Sequence, residues 1–485
     1  MQCSPLDVDK SVLSTHTMSF IVSIQINMSY FIITICLLLT MLPSLAATQQ
    51  SLTLPEALQY GLANSPLARN AALEENVART RIGQAGSLAL PQLSLNANYT
   101  RLDEVPQIDL GEGAFDLGSL DNYEVTAGFS QLLYAGGQVG AAWRAARITR
   151  HYATASRRAF EAALVHEITE AFHAVLLARE ALNVQKASLE MLQAFEKQTR
   201  ERQASGAASE FDALTARVRV ANAKPGVIAA RNQRDLAHAA LATRINFKGD
   251  FEVAGELTVR ETTSSLSELQ ILALQNRHER EVAQLRKELA REAIASARSD
   301  ARPEIRMFAN SSGGNANQFA LSEDWEWRWN AGVTARWNFW DGNLTRQTIR
   351  QREIELHQQE NLIEDLETTI LLEVEQAWRA LLQAQQSLEA SAESVTLAER
   401  ALAIAQTRYE SGLSTYLELT DANLALRTAE LTRLQAMHDH ASATARIYFA
   451  TGIPSPHLPP KNPHPDPNLN HPANPNAEEE HAETP

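Results

Sequence analysis

Cysteine is almost missing from this chain: of 485 residues only Cys3 and Cys36 are cysteines, both ahead of Ala47. A chain that lacks cysteine after its leader builds no disulfide scaffold, no thiol active site and no cysteine-ligated metal site. Glycine (20) and proline (18) are scarce and aromatics make up 6%, while Ala, Leu, Glu, Gln and Arg dominate, which favours long helices over a loop-rich fold. Positive charge is in deficit, with a formal net charge of −15, so nucleic acid is excluded as a partner. No phosphate-binding glycine loop, catalytic triad or pocketed carboxylate pair is recognisable, so no enzyme, cofactor or metal site is expected.

Long apolar runs are lacking too. The stretch Phe31–Leu42 is too short to span a bilayer, and nothing longer follows it. Ser44-Leu45-Ala46 behind it suits signal-peptidase cleavage after Ala46 or Ala47. No Lys or Arg follows Lys10 in this leader, which fits initiation at Met18 or Met28. Cys36 sits mid-run behind Ile33-Thr34-Ile35 rather than after small residues, so no lipid is expected on it. The mature chain is expected to be exported without a transmembrane helix.

What is present is a duplication. Leu54-Pro55-Glu56-Ala57 matches Leu266-Ser267-Glu268-Leu269, Asn64 matches Asn276 and Pro91 matches Pro303, all at an offset of 212. From Leu133 to Val218 the offset is 206, pairing Gly136 with Gly342, Phe172 with Trp378 and Ser205-Gly206 with Ser411-Gly412. Arg244-Ile245 pairs with Arg446-Ile447 at 202, which implies a second length change. A period this long is a duplicated domain, not a short-repeat solenoid.

Each copy predicts a helical segment (53–90, 265–302), a strand pair (91–134, 303–340), a very long helix (140–203, 344–410) and a return helix (209–244, 415–449). No Gly or Pro interrupts 141–205 or 343–411, so each long helix can run unbroken for about 100 Å. Leu164, Ile168, Ala171, Val175, Ala178, Leu182, Gln185, Leu189 and Leu192 alternate spacings of four and three. Ile370, Val374, Ala377, Leu381, Ala384, Leu388, Ser391, Val395 and Ala398 repeat them. This is a heptad seam rich in alanine. By itself it fits a structural coiled-coil protein of the cell envelope.

The strands argue otherwise. Trp325, Trp327, Trp329, Ala331, Val333, Ala335, Trp337 and Phe339 alternate with Glu326, Arg328, Asn330, Gly332, Thr334, Arg336 and Asn338. Such alternation sets one face in an apolar medium and the other in water. Five of the seven tryptophans, Trp325, Trp327, Trp329, Trp337 and Trp340, flank this strand as an outer-membrane girdle would. Leu93, Leu95, Ala97 and Tyr99, then Tyr123, Val125, Ala127 and Phe129, alternate in the same way. Four strands cannot close a barrel, so closure requires further chains.

A signal peptide, four strands and duplicated long helices together resemble the TolC-type outer-membrane efflux duct family over about residues 51–452. Local marks agree. Leu52-Thr53-Leu54-Pro55-Glu56-Ala57-Leu58 with Asn64-Ser65-Pro66 is similar to the family's opening helix. Leu133-Tyr134-Ala135-Gly136-Gly137 and Phe339-Trp340-Asp341-Gly342 resemble its strand-to-helix turns. Arg408-Tyr409-Glu410-Ser411-Gly412 resembles its helix-hairpin tip, and Asn222–Ile228 with Ala230-Arg231-Asn232 is also similar. The resemblance implies a mainly α fold with a small β part: a homotrimer whose twelve-stranded β-barrel continues into a twelve-helix α-barrel. It implies outer-membrane lipid around the barrel, a periplasmic adaptor (membrane fusion) protein and an inner-membrane RND or ABC pump as partners, and efflux or type I secretion as the task. The expected organisation is a signal peptide over 1–47, equatorial segments over 48–90 and 246–302 and membrane strand pairs over 91–136 and 303–341. Helix hairpins follow over 137–245 and 342–452, with a disordered Pro/His/Asn-rich tail over 453–485.

The same resemblance assigns roles at the hairpin tips, Gly206 and Gly412. Glu418 and Asp421 share a helix face and match acidic residues that ring the family's periplasmic entrance. Thr415-x-x-Glu418 and Ser209-x-x-Asp212 also read as capping boxes. Tyr409 and Asp212 match positions that tie helix pairs shut. The arginine the family carries just after its tip glycine is lacking, because the chain reads Leu413-Ser414-Thr415. Lys224-Pro225-Gly226 is expected to interrupt and bend the first return helix. His438-x-His440 diverges too widely on a helix to chelate, and His166 and His173 read as surface or packing residues. His457, His464, His471 and His481 lie in the tail.

Overall fold

The computed structural model describes residues 50–105, 107–109, 111, 114–116, 119–259, 264–315 and 325–458. The expected leader and most of the expected tail, with His464, His471 and His481, lie outside them. The chain divides into two units, residues 1–51 with 250–252 and residues 52–249 with 253–485. In the first, the short strands β1 (Gln50–Leu52) and β6 (Phe251–Val253) pair with one another, each overrunning the unit by one residue.

The second unit holds the duplication. Its first copy runs α1 (Leu54–Asn64), α2 (Pro66–Ser87), β2 (Gln92–Arg101), β5 (Asp121–Ala135), α3 (Gln138–Ala204) and α4 (Glu210–Ile245). The second runs α5 (Leu266–Asn276), α6 (His278–Ser299), β7 (Glu304–Gly314), β8 (Glu326–Arg336), α7 (Leu344–Glu410) and α8 (Tyr416–Thr451). Equivalent helices have equal lengths of 11, 22, 67 and 36 residues. Between β2 and β5 lies a small hairpin of β3 (Gln107–Asp109) and β4 (Ala114–Asp116), which has no counterpart among the described residues of the second copy.

Local chemistry sets the helix starts. Thr53 N–H donates to Glu56 Oε2 at 2.8 Å, and Ser265 N–H donates to Glu268 Oε2 at 3.1 Å, the same capping box in both copies. The long helices then bury the expected seam. Ile168, Val175 and Leu182 in α3 and Ile370, Val374 and Ala377 in α7 are buried. In the second copy these residues pack with Leu269 and Ala273 of α5 and with Ala443, Ile447 and Ala450 of α8. Alanine at the contacts lets the helix axes approach closely. Each large aliphatic residue that is fully buried stabilises the packing by about 1.5–3 kcal/mol.

Two sequence expectations are corrected. The first return helix is not interrupted: α4 is continuous through Pro225. Ala221, whose carbonyl loses its donor to the proline, is exposed and can bond water instead. The offset therefore remains 206 to the end, aligning Leu241 with Ile447 and Ile245 with Thr451, all buried. The second length change does not exist. The apparent match of Arg244-Ile245 to Arg446-Ile447 joins positions four residues apart in the packing.

One histidine couples this packing to pH. Burial pushes His173 of α3 down from 6.5 to about 4, and His438 and His457 nearby add to the shift. A depressed histidine contributes stability above its unfolded value, and that contribution is lost as pH falls from 6.5 towards 4. At pH 5 about 2 kcal/mol per chain is gone. His173→Gln is therefore expected to flatten the fall of the unfolding temperature between pH 7.5 and pH 5. An equal fall in both proteins would show that His173 is not the sensor.

Candidate functional site

The four long strands form one antiparallel sheet in the order β2-β5-β7-β8. Its register sorts the side chains by face. Leu93 lies opposite Phe129, Leu95 opposite Ala127, Ala97 opposite Val125 and Tyr99 opposite Tyr123. On that face Phe129 meets Ala309, while Met307 meets Val333, Ala309 meets Ala331 and Ser311 meets Trp329. The reverse face carries Asn96 with Thr126, Asn310 with Asn330, Arg306 with Thr334 and Ser312 with Arg328. The apolar face is uncovered: Leu93 and Trp329 are each 81% exposed. So large an open apolar face is disfavoured in water, and among the described residues β2 and β8 are edges with no strand beside them, open to pairing with further strands.

Of the expected girdle, Trp327 and Trp329 lie in β8, and Trp325 immediately precedes it, in T-shaped contact with Trp327 at 6.2 Å. Trp337 and Trp340 fall outside the strand. Glu304 pairs with Arg336, so the next partner of Trp337 would be Pro303, which has no N–H to donate. The ladder stops there, and Trp337 Nε1 donates instead to Ala301 O at 3.1 Å.

At the other end of the helices the two tips are built alike. Gly206 (φ 77°) and Gly412 (φ 73°) take the left-handed conformation that ends α3 and α7. Ala207 N–H donates to Arg202 O and Leu413 N–H to Arg408 O, both at 2.8 Å. The side chains break this symmetry. Arg202 crosses from the first tip to the second, donating to Tyr409 O at 2.9 Å and lying 5.1 Å from the centre of its ring. Arg408, its copy, donates within its own tip, to Leu413 O, and to no other residue among those described. Tyr409 is buried, and Thr199 Oγ1 gives its proton to Phe195 O, so the Tyr409 hydroxyl donates to Thr199 at 2.9 Å. Higher up, Ser188 Oγ donates to Asn423 Oδ1 at 3.1 Å. Burial pushes the adjacent Tyr416 phenol up to about 12, so it stays neutral.

Asp212 and Tyr409 are thus not bonded within one chain. Asp212 Oδ2 accepts from Ser209 N at 3.2 Å and from Ser209 Oγ at 2.7 Å, closing a capping box. Glu418 N–H donates to Thr415 Oγ1 at 3.3 Å, and the Glu418 carboxylate accepts from that hydroxyl at 3.3 Å. Asp421 is exposed, with its carboxylate in no hydrogen bond or ion pair among the described residues. Glu418 and Asp421 open a longer stripe. Ala425, Thr428, Thr432, Gln435 and Asp439 follow at spacings of three and four, with Arg446 seven residues further on, and all are exposed. On α4 the open stripe is apolar instead: Phe211, Leu214, Val218, Ile228 and Leu236 are exposed. Reading the sequence missed Thr199, Arg202, Asn423 and both stripes, although the stripes' spacing was there to be counted.

A sequence model described as outer membrane efflux protein matches residues 57–246 and 270–453. These segments make up most of the chain, and the chain belongs to the outer membrane efflux protein family. No curated protein matches it. Among solved structures, CusC, described for the conformational changes that accompany its folding and transmembrane channel formation, superposes with a TM-score of 0.70. Its identity is 17%, over 82% of this chain and 92% of that one. The outer membrane protein VceC of Vibrio cholerae gives 0.66 at 18% identity, over 82% and 96%. The MtrE outer membrane channel of Neisseria gonorrhoeae, solved in its open state, gives 0.66 at 22%, over 82% and 88%. At such identities the likeness establishes the fold, and family membership establishes efflux at the outer membrane. The family is one of ducts, not enzymes, and the coiled-coil structural protein is set aside. No described helix is long and apolar enough to cross a membrane.

Proposed function

We propose that three copies of this chain close a twelve-stranded barrel in the outer membrane and extend it as a twelve-helix tunnel. The assembly is the exit duct of a tripartite efflux or type I secretion system, receiving substrate from a periplasmic adaptor and an inner-membrane RND or ABC pump. One observation carries this reading: a four-stranded sheet whose apolar face is open and whose edges are both unpaired. Closure with neighbouring copies satisfies the edges, and lipid satisfies the face. The exposed apolar stripe of α4 supplies a helix contact between copies, and the polar stripe of α8 supplies a wetted wall.

On this reading Trp325, Trp327 and Trp329 mark one membrane boundary, and Trp337 and Trp340 the other. Gly206 and Gly412 turn the tips that face the adaptor. Glu418 and Asp421 form the periplasmic ring, with Tyr409 and Asp212 beside it, and Arg202 stands in for the lacking tip arginine. Unheated outer-membrane extract is expected to show a trimer that heating dissociates, and the purified protein to conduct in planar bilayers. A monomer recovered in the soluble periplasmic fraction would overturn the proposal.

A further inference from the structure

Where β8 ends, a cavity of about 750 Å³ lies between the turn that follows it and the first turns of α7. Its walls hold two kinds of group. Trp337, Phe339 and Trp340 are aromatic and point outward, 58%, 83% and 72% exposed. Asp341, Arg346 and Arg350 are charged. Arg346 and Arg350 stand four residues apart on one helix face, exposed, and neither has an ion pair among the described residues. Their neighbours are matched: Arg352 with Glu355 at 2.7 Å, and Glu353 with Arg298 at 2.9 Å. Asp341 accepts from Thr345 Oγ1 at 2.5 Å and Thr345 N at 2.8 Å through Oδ2, and these bonds, with smaller contributions from the backbone amides of Asp341 and Leu344, hold its carboxyl below the usual carboxylate range, so it borders the cavity as a charged group.

These features define a ligand. Two adjacent unpaired guanidiniums match the oxygens of a phosphate, which they bind through charge-assisted, bidentate hydrogen bonds. A carboxylate beside them matches a cation on the same molecule. Exposed tryptophan and phenylalanine carry no charge of their own. They suit the boundary where headgroups give way to acyl chains. That boundary is where the apolar face of β8 runs out, because its last ladder residue is Arg336. A free phosphate ion has no use for the aromatics, and an anionic glycerol headgroup has no cation for Asp341.

We infer that this cavity seats the headgroup of a phosphoethanolamine lipid. The phosphate lies on Arg346 and Arg350, the ammonium on Asp341, and the acyl chains run past Trp337, Phe339 and Trp340 onto the open face of β8. The site rests on the membrane-barrel reading above and adds to it a lipid class and an address, one per chain.

Native mass spectrometry of the delipidated full-length protein tests this, with phosphatidylethanolamine, phosphatidylglycerol and inorganic phosphate as probes. The protein is expected to prefer the ethanolamine lipid. Arg346→Gln with Arg350→Gln should weaken binding of both lipids by about tenfold or more. Asp341→Asn keeps an oxygen for Thr345 and should abolish the preference while retaining the lipids. Inorganic phosphate should not displace them. Equal binding by the wild type and the double arginine variant overturns the site. A wild-type preference for the glycerol lipid overturns the headgroup class, and displacement by inorganic phosphate reduces the site to an anion site. Planar-bilayer conductance of the same samples separates the two readings: channels without selective lipid binding defeat only the lipid site, and absence of channels defeats the duct.

Discussion

Arginine at Val333 is expected to abolish assembly of this protein in the outer membrane, whereas arginine at Thr334 leaves most of it intact. The two residues are neighbours in β8, and the pleat sends them to opposite faces. Val333 lies opposite Met307 on the face shared with Leu95, Phe129 and Ala309, and is 63% exposed. Thr334 lies opposite Arg306 on the polar face, where another guanidinium meets water. An arginine on the lipid face of a barrel costs about 2–4 kcal/mol at the bilayer midplane and less towards its edges. Val333 is two residues from Ala331, the middle of the strand, so the low end of that range applies. Every copy in an assembly bears the same cost, which multiplies the effect. Heat-stable oligomer in outer-membrane fractions is the measurement. Equal loss from both variants would mean that the open face does not meet lipid.

Val333 and Thr334 could be assigned to faces from the sequence because alternation needs only two media and a period of two. Helix starts were legible for a similar reason: Thr415 with Glu418, and Ser209 with Asp212, are three residues apart and need no tertiary information. The long helices followed from the absence of Gly and Pro and from a seam that both copies repeat.

What the sequence hid depends on partners far away in the chain. Trp337 continues the alternation of β8, yet its ladder stops because Pro303 stands opposite, and that requires the register. Pro225 looked like a break, but Pro costs one hydrogen bond, and an exposed position replaces it with water. At the tips Arg202 and Arg408 are equivalent by the repeat, with the same turn around each. Only their different surroundings send Arg202 to Tyr409 O while Arg408 stays at home. Tyr409 bonds Thr199, 210 positions away, a pairing that no local pattern marks.

Neutralising Asp421 and Glu418 together is expected to remove block of the channel by trivalent cations from the periplasmic side and to weaken its cation selectivity. Both residues are exposed at the start of α8 and three positions apart, so they share a face. They head a stripe that stays polar through Thr428, Thr432, Gln435 and Asp439, the composition of a wall in contact with water. In the proposed threefold assembly several carboxylates come together at one level. Their mutual repulsion is relieved by a multivalent cation, which then sits in the path of the current. Asp421→Asn with Glu418→Gln retains side-chain size and removes the charge. The Thr415 hydroxyl still caps the helix through Glu418 N–H, and glutamine can accept from that hydroxyl as glutamate does, so the fold survives. Each substitution alone should give partial relief, with Asp421→Asn the larger, because the Asp421 carboxylate has no partner among the described residues whereas that of Glu418 is engaged by Thr415. Single-channel recordings with trivalent cation added to the periplasmic side read the block directly. If a correctly assembled double variant is blocked as strongly as the wild type, these carboxylates solvate the helix start and do not line the entrance.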